Sequence, residues 1–581
     1  MAQDISRNPE AMARPFPTPQ RRTTRDVTRT LGTGAAVFCL FAAVTALVFW
    51  AWLPHLSTAL IGPPEDNLQD FWNSWYAAAA PKPDGFFHTH LIRAPEGLSL
   101  YYHSFAYPQV ALLVVLSRVF GTDHAALVAL QNLTLLLSFP IAGTGAFFLA
   151  RHFGVGRAAS LVSGFVFAFN PSHVAHTMHH AHVAWIGFIP FCVLAYLVAL
   201  ERRSVWWLAL AALLWALSAL SCWYYFFYVL FFVAFHTVYL RVRDKAWPRG
   251  WMLLAPFACL AGTVVLLLPL IVPMMALAGH AGAYNGGSNV YVADVAGYFT
   301  FPPTHPLAHW TSGLFARIAP NRWEGTVYLG LVNVALLVWL GWRAWHKRDP
   351  LLGWLVGGMT TFCVLASGET LHAFGHDIAF LHLPDIVLAK LPFFANVRTP
   401  SRAMVLVYLF LSVAVGHALT LAWREHPGRA ARVVVVAAVL LLLLDFYPVP
   451  RPTTDVACAA ELALIRDDPR PGIAVLDLPS GYVEGNIYMA RQTCHGRPIL
   501  QGNVARMLST SLADRLGAMA MPARRAALAG AHVGYIVLTN PQAGTNGGLF
   551  AWPREDGARA DYERAFKPVY SDPRVTILRV D

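Results

Sequence analysis

Long apolar runs decide what this chain can fold into. Runs that span, or nearly span, a bilayer core lie at about 31–53, 124–150, 158–172, 183–200, 205–222, 223–240, 251–278, 326–343, 351–368, 402–422 and 431–447. In hydrocarbon, every backbone N–H and C=O must be satisfied within the segment, which makes such runs helices. Charged residues make up 13% of the chain, against ~25% in soluble proteins. The expected fold is a polytopic α-helical membrane protein with about eleven spans.

The charges that remain set the topology. The formal net charge is +11, but the basic residues are split among short segments between apolar runs. That pattern is a topology signal, not a nucleic-acid surface. Residues 1–30 are polar, with Arg7, Arg14, Arg21, Arg22, Arg25 and Arg29, and read as a disordered basic cytoplasmic tail. The run at 31–53 then reads as a signal anchor, not a cleavable peptide. Starting inside, Lys or Arg falls in all five short cytoplasmic loops: 151–157, 201–203, 241–249, 343–349 and 424–432. The agreement holds only if the apolar stretch 106–120, with Arg118, lies along the outer surface. The long loops 54–123, 279–325 and 369–401 then face outward, and long loops are where function concentrates. Residues 31–450 form the membrane domain and residues 451–581 a polar α/β domain, also outside, in the periplasm or beyond. In it, 472–479, 533–539 and 574–580 read as strands, and 457–465 and 511–528 as helices. Cys458 and Cys494 lie in that part and can pair in an oxidising compartment; the other five cysteines read as small buried apolar residues.

Four constellations carry possible chemistry. Glu65, Asp66 and Asp70 follow Pro63-Pro64 just beyond the first span. On a helix Asp66 and Asp70 share a face, and paired carboxylates raise one pKa, as a general base requires; the alternative is a solvated, helix-capping turn. The run from Asn170 to His182 holds five histidines, of which His173, His176 and His180 share a helical face. They suit substrate contact or a metal, although the run contains no carboxylate; half-hydrated interfacial histidines are the alternative. Arg398 and Arg402, before a span on the outer side, suit a phosphate or lipid headgroups. The aromatic-rich loop 279–325 adds Asp294, Tyr298, His305, His309, Arg322 and Glu324. Walker-type loops, a Gly-x-Ser-x-Gly elbow and Cys-x-x-Cys are absent from the sequence.

Other residues complete a familiar layout. They are Asp66 with Trp72, Ala94-Pro95-Glu96-Gly97 before His103, Phe169-Asn170-Pro171 leading to His176, Trp185 and Pro190, Leu391-Pro392-Phe393-Phe394 with Val397 to Arg402, and Gln492 to Pro498. From about 31 to 510 the chain resembles the GT-C superfamily of integral-membrane glycosyltransferases, in a bacterial, YfhO-like branch. The resemblance implies inverting sugar transfer from a polyprenyl-phosphate donor to a cell-envelope glycan, glycolipid or glycoprotein on the outer face of the bacterial inner membrane. It implies a catalytic base in the first outer loop, Asp66 with Asp70 and Glu65 as rivals; Glu65 stands where that branch often has Gly. The donor phosphate falls to Arg398 and Arg402, and substrate contact to His103, His173, His176, His180, Glu324 and Tyr298. Membrane lipids are expected partners, and nucleic acid is not. A divalent metal is the one cofactor in play and is not favoured: the histidines stand where a metal-dependent oligosaccharyltransferase type places an acid. A lipid-linked sugar flippase and a non-catalytic envelope-assembly protein are the other readings; the near absence of ionisable residues within the spans speaks against transport.

Overall fold

The computed structural model describes residues 24–278, 289–347, 349–390, 397–449, 452–506, 510–540 and 559–580. The readings made on the tail before residue 24, on 279–288 and on Leu391-Pro392-Phe393-Phe394 lie outside these residues. The chain is a polytopic helical membrane protein. Helices occupy all eleven apolar runs, from Thr24–Val48 to Arg429–Asp445. Among the described residues, six helical stretches are long and apolar enough to cross a membrane: Thr30–Val48, His124–His152, Ala181–Arg202, Trp223–Asp244, Trp251–Leu277 and Pro400–Glu425. The run at 158–172 gives a helix of 12 residues, Arg157–Ala168. It stops at Asn170-Pro171, where the Asn170 side chain accepts from His173 N (2.9 Å) and starts a new helix.

Helices in lipid associate through close packing at small residues. The Phe41 ring fills the space between two of them: a Cβ at Gly143 would sit 2.8 Å from it, and Gly164 leaves still less room. Helix Met404–Glu425 is the centre of the bundle, buried without a break from Met404 to Gly416. Helix Trp251–Leu277 lies at the periphery, with only Ala255, Cys259, Thr263 and Leu267 buried.

Loops and the C-terminal residues gather at one end of the bundle. Strand Ala59–Ile61, just after the first span, pairs antiparallel with Thr453–Asp455, just after the last apolar helix. Beyond it is a four-stranded sheet in the order Ala474–Leu478, Val533–Thr539, Val575–Arg579, Lys567–Ser571; the first pair is parallel and the others antiparallel. Three of these strands fall where the sequence places them. The helix expected over 457–465 is instead a 3₁₀ turn, Ala460–Leu462, with a short helix, Ala463–Arg466. The one expected over 511–528 breaks into Leu512–Leu516 and Met521–Gly530, with Pro522 near the start of the second. Helix Tyr482–His495 and strand Lys567–Ser571 are additions.

This sheet does not stand apart. Leu68, Phe71, Trp72 and Tyr76 of helix Asp66–Ala78 share one hydrophobic cluster with Tyr488, Met489, Ile499, Val537 and Ile577. Trp72 Nε1 donates to Gln492 Oε1 (2.7 Å), whose amide donates to Leu91 O (2.5 Å) and Arg497 O (3.0 Å). Arg93–Asp514 (2.6 Å) and Arg515–Glu96 (2.5 Å) pair across the same boundary. Cys458 and Cys494 form a disulfide with Cα atoms 5.5 Å apart. Helix Tyr107–Phe120 joins this cluster through Val110 and Leu113 and exposes Val115, Val119 and Phe120.

Candidate functional site

The acids reach the histidines because of a glycine. Gly62 has φ +100°, and a Cβ there would collide with the Met178 carbonyl. The chain therefore passes directly against the histidine segment before Pro63-Pro64 deliver Glu65 to the N-cap and Asp66 to the first turn of helix Asp66–Ala78. The acidic first residue also suits the positive helix end.

The histidine segment departs from the helical-face reading. Helix Pro171–Thr177 ends before the last histidines, so His179 and His180 follow it in a turn. His173 points away from the cluster: it stacks on Phe139 (ring centroids 4.2 Å apart) and bonds Ser138 Oγ (2.9 Å) and Ala168 O (2.6 Å). His179 takes the place expected of it. The run has no carboxylate of its own, but Asp66 and Glu324 supply two from distant parts of the chain.

His180 Nε2 is 3.3 Å and His179 Nε2 3.9 Å from Asp66 Oδ2. Asn486 Nδ2 donates to the other oxygen of Asp66 (3.1 Å). His180 Nδ1 faces His176 Nδ1 (3.3 Å) and Glu324 Oε1 (3.7 Å), and His176 Nε2 faces Glu324 Oε2 (3.6 Å). Arg402 closes the row: its Nε bonds both Glu324 oxygens (3.0 and 3.2 Å), its terminal nitrogen bonds Oε1, and its guanidinium lies over Tyr224. Glu65 accepts from Arg322 (2.5 Å) and Trp323 Nε1 (2.6 Å) and meets His179 Nδ1 (3.0 Å). The Trp323 ring stacks on His179 and also lies under the Arg322 guanidinium.

These contacts separate the three acids. Burial raises the Glu65 carboxyl, but His179, Trp323 and Arg322 outweigh it and bring the pKa down to about 2. A group so firmly ionised is a poor base. Asp70 is put to another use: one turn beyond Asp66 on the same helix it is buried and accepts from Ala181 N (2.7 Å), bracing the histidine segment. Burial pushes its pKa well above the carboxylate range; the Ala181 amide opposes this, and Asp66 adds to it. Asp66, with a side chain 20% exposed, is the acid of the three that faces both His179 and His180. Burial lowers His176 to about 4 and His180 well below its usual value, so both imidazoles are neutral at pH 7. Burial alone would raise Glu324, but the charge and hydrogen bonds of Arg402 outweigh it and hold the carboxylate ionised.

The depressed Glu65 pKa has a stability consequence. The folded value lies below the usual 4.5, so its contribution is complete above that pH and is lost as pH falls toward 2. Glu65→Gln is expected to destabilise the protein by about 1–2 kcal/mol at neutral pH, discounted for partial exposure. Thermal midpoints of the two proteins in detergent should draw together below pH 4.5 and meet near pH 2.

Other expected site residues lie apart from the row. His103 is buried, lowered by burial to about 3, and bonds Asn73 Oδ1 (2.6 Å) and Ala505 N (3.4 Å), joining helix Asp66–Ala78 to the C-terminal part. Tyr298 packs its ring against the main helical core. Arg398 is half-buried in the segment leading to the turn Pro400–Ala403 that carries Arg402. Sequence reasoning passed over His179, Trp323 and Asn486 as site residues; the adjacency Arg322-Trp323-Glu324 was the one local sign of two of the contacts.

Of the trios among the described residues whose ligand atoms lie within 4.8 Å of one another, two fall in this row: Asp66, His179 and His180, and His176, His180 and Glu324. Two imidazoles with a carboxylate suit a zinc-like cation better than magnesium or calcium. Arg402 already neutralises Glu324, so Asp66, His179 and His180 are the set that would hold such an ion, which would supply Lewis-acid polarisation of a bound phosphate.

The helix arrangement is similar in fold to solved glycosyltransferases. The chain is similar to the arabinofuranosyltransferase AftD from Mycobacteria (TM-score 0.56, 15% identity, over 94% of this chain and 40% of that one). It is also similar to the apo oligosaccharyltransferase of Archaeoglobus fulgidus (TM-score 0.51, 12% identity, over 87% of this chain and 69% of that one). Residues 31–447 match the family described as a domain of unknown function, DUF6311, and the chain belongs to that family. No curated protein matches it.

Proposed function

We propose that this protein is an inverting glycosyltransferase that moves a sugar from a polyprenyl-phosphate donor to an envelope acceptor at the outer face of the bacterial inner membrane. The observation that carries the reading is the convergence of Asp66, Glu324, three histidines and Arg402 at the loop-rich end of a GT-C fold. The acceptor hydroxyl attacks the anomeric carbon as the bond from that carbon to the phosphate oxygen breaks. Asp66 takes the hydroxyl proton, and the electron pair leaves with the phosphate. His180, neutral beside Asp66, orients its carboxylate. Arg398 and Arg402 are the proposed cations for the leaving phosphate. A phosphate leaving group needs no general acid, so one carboxylate suffices. The orientation that fits the charge pattern has the N-terminus in the cytoplasm and residues 451–581 outside.

The test is sugar transfer by purified protein in lipid nanodiscs, using a panel of polyprenyl-phosphate sugars and envelope lipid extract. Transfer is expected with at least one donor. Since the arginines already balance Glu65 and Glu324, EDTA is expected to leave turnover unchanged. Excess zinc, seated on Asp66, His179 and His180, is expected to suppress it. Donor movement across the bilayer without transfer would instead support the flippase reading.

A further inference from the structure

The C-terminal part reaches into the site through one amide. Asn486, in the second turn of helix Tyr482–His495, is fully buried, and its Nδ2 donates to Asp66 Oδ1 (3.1 Å) and to Glu65 O (3.5 Å). The orientation of that amide is fixed from behind: Asn503 Nδ2 donates to Asn486 Oδ1 (3.0 Å), which leaves the NH₂ end for Asp66. Asn503 is itself held, its backbone N–H by Met489 Sδ (3.2 Å) and its carbonyl by Gln69 Nε2 (2.8 Å), one helical turn beyond Asp66. Its close approach depends on Gly485, where a Cβ would come within 2.8 Å of Asn503 Nδ2. The far end of the same helix is anchored by the Cys494–Cys458 disulfide. Cys458 lies three residues past the strand Thr453–Asp455, which pairs with the strand leading into Glu65 and Asp66. Both ends of helix Tyr482–His495 are thus referred to the acid segment.

We infer that Asn486 is a positioning residue for Asp66 and that the C-terminal part, beyond the helical bundle, belongs to the catalytic apparatus. Asn486 holds one carboxylate oxygen so that the other faces the histidines and the acceptor. This rests on Asp66 being the base. A carboxylate free to rotate loses turnover without losing donor affinity, because the donor phosphate is held elsewhere.

The experiment compares Asn486→Ala, Asn486→Asp and Gly485→Ala with the unmodified protein in nanodiscs, reading kcat and donor KM with a polyprenyl-phosphate sugar. Asn486→Ala is expected to lower kcat about tenfold with donor KM within about twofold. Asn486→Asp, equal in volume but without the donor and like-charged to Asp66, is expected to lower it about a hundredfold. Gly485→Ala, which displaces Asn503, should resemble Asn486→Ala. The inference is overturned if kcat stays within about twofold in both Asn486 variants, or if kcat falls only with a matching rise in KM. Should Asn486→Ala lower the thermal midpoint, the equal-volume Asp variant decides. A substrate-free readout separates this inference from the proposed reaction. Hydrogen–deuterium exchange over residues 62–76 is expected to be several-fold faster in Asn486→Ala even if no donor is turned over. Unchanged exchange there overturns the inference, whereas an unmodified protein that transfers no sugar overturns the proposed function.

Discussion

Asp66→Asn is expected to lower turnover by about 10²–10⁴-fold, the usual weight of a general base, while donor KM changes little. The substitution keeps the volume and the contact with Asn486 within reach, so the fold should persist. What it removes is the site that receives the acceptor proton. The neighbouring acids give the controls. Glu65→Gln should retain most turnover, because that carboxylate is committed to Arg322, Trp323 and His179. Asp70→Asn should lose stability more than rate, since Asp70 serves the Ala181 amide. Steady-state kinetics and thermal midpoints on the three variants form one test. Full activity in Asp66→Asn would remove Asp66 from the chemistry.

Arg402→Met is expected to cost about 3–5 kcal/mol of stability, the penalty for leaving a buried charge without its partner. Glu324 and Arg402 have side chains only 5% and 9% exposed. The remaining neighbours of Glu324, His176 and His180, are neutral at pH 7 because they are buried. Adding Glu324→Gln to Arg402→Met should return most of the lost stability, since the lone charge is then gone. It should not return activity if the arginine serves the phosphate. A double-mutant cycle on unfolding and on kcat separates these two contributions. Equal loss in the single and double variants would show that Arg402 acts through packing on Tyr224 instead.

The bundle was readable in the sequence because hydropathy is a local property: each apolar run carries its own reason to be a helix. The acid segment and the histidine segment were readable as well, since their residues are consecutive. Their assembly was not. Glu65 meets Trp323, and Asp66 meets Asn486, across 258 and 420 positions, and nothing in local periodicity encodes such a pairing. The face assigned jointly to His173, His176 and His180 failed for simpler reasons: the rule of 3.6 residues per turn was carried past Thr177, where the helix ends, and His173 is drawn off by Phe139, Ser138 and Ala168. Helix Tyr482–His495 went unread because Gly485 interrupts it and polar residues are spread among its apolar ones. Its stability comes from docking, through Tyr488, Met489 and Gln492, and not from its own pattern.

The pairing of Ala59–Ile61 with Thr453–Asp455 bears on how the protein comes to exist in the cell. The first of these strands leaves the ribosome early and the second nearly four hundred residues later, after every apolar helix. A nascent chain can therefore insert all its helices and still lack the partner that fixes the segment before Glu65. A chain ending at 447, where the family match stops, would be membrane-inserted yet unfinished at this strand. Maturation of the site is thus a late event in biosynthesis, completed only when the last residues reach the side of the membrane where the first strand has been waiting.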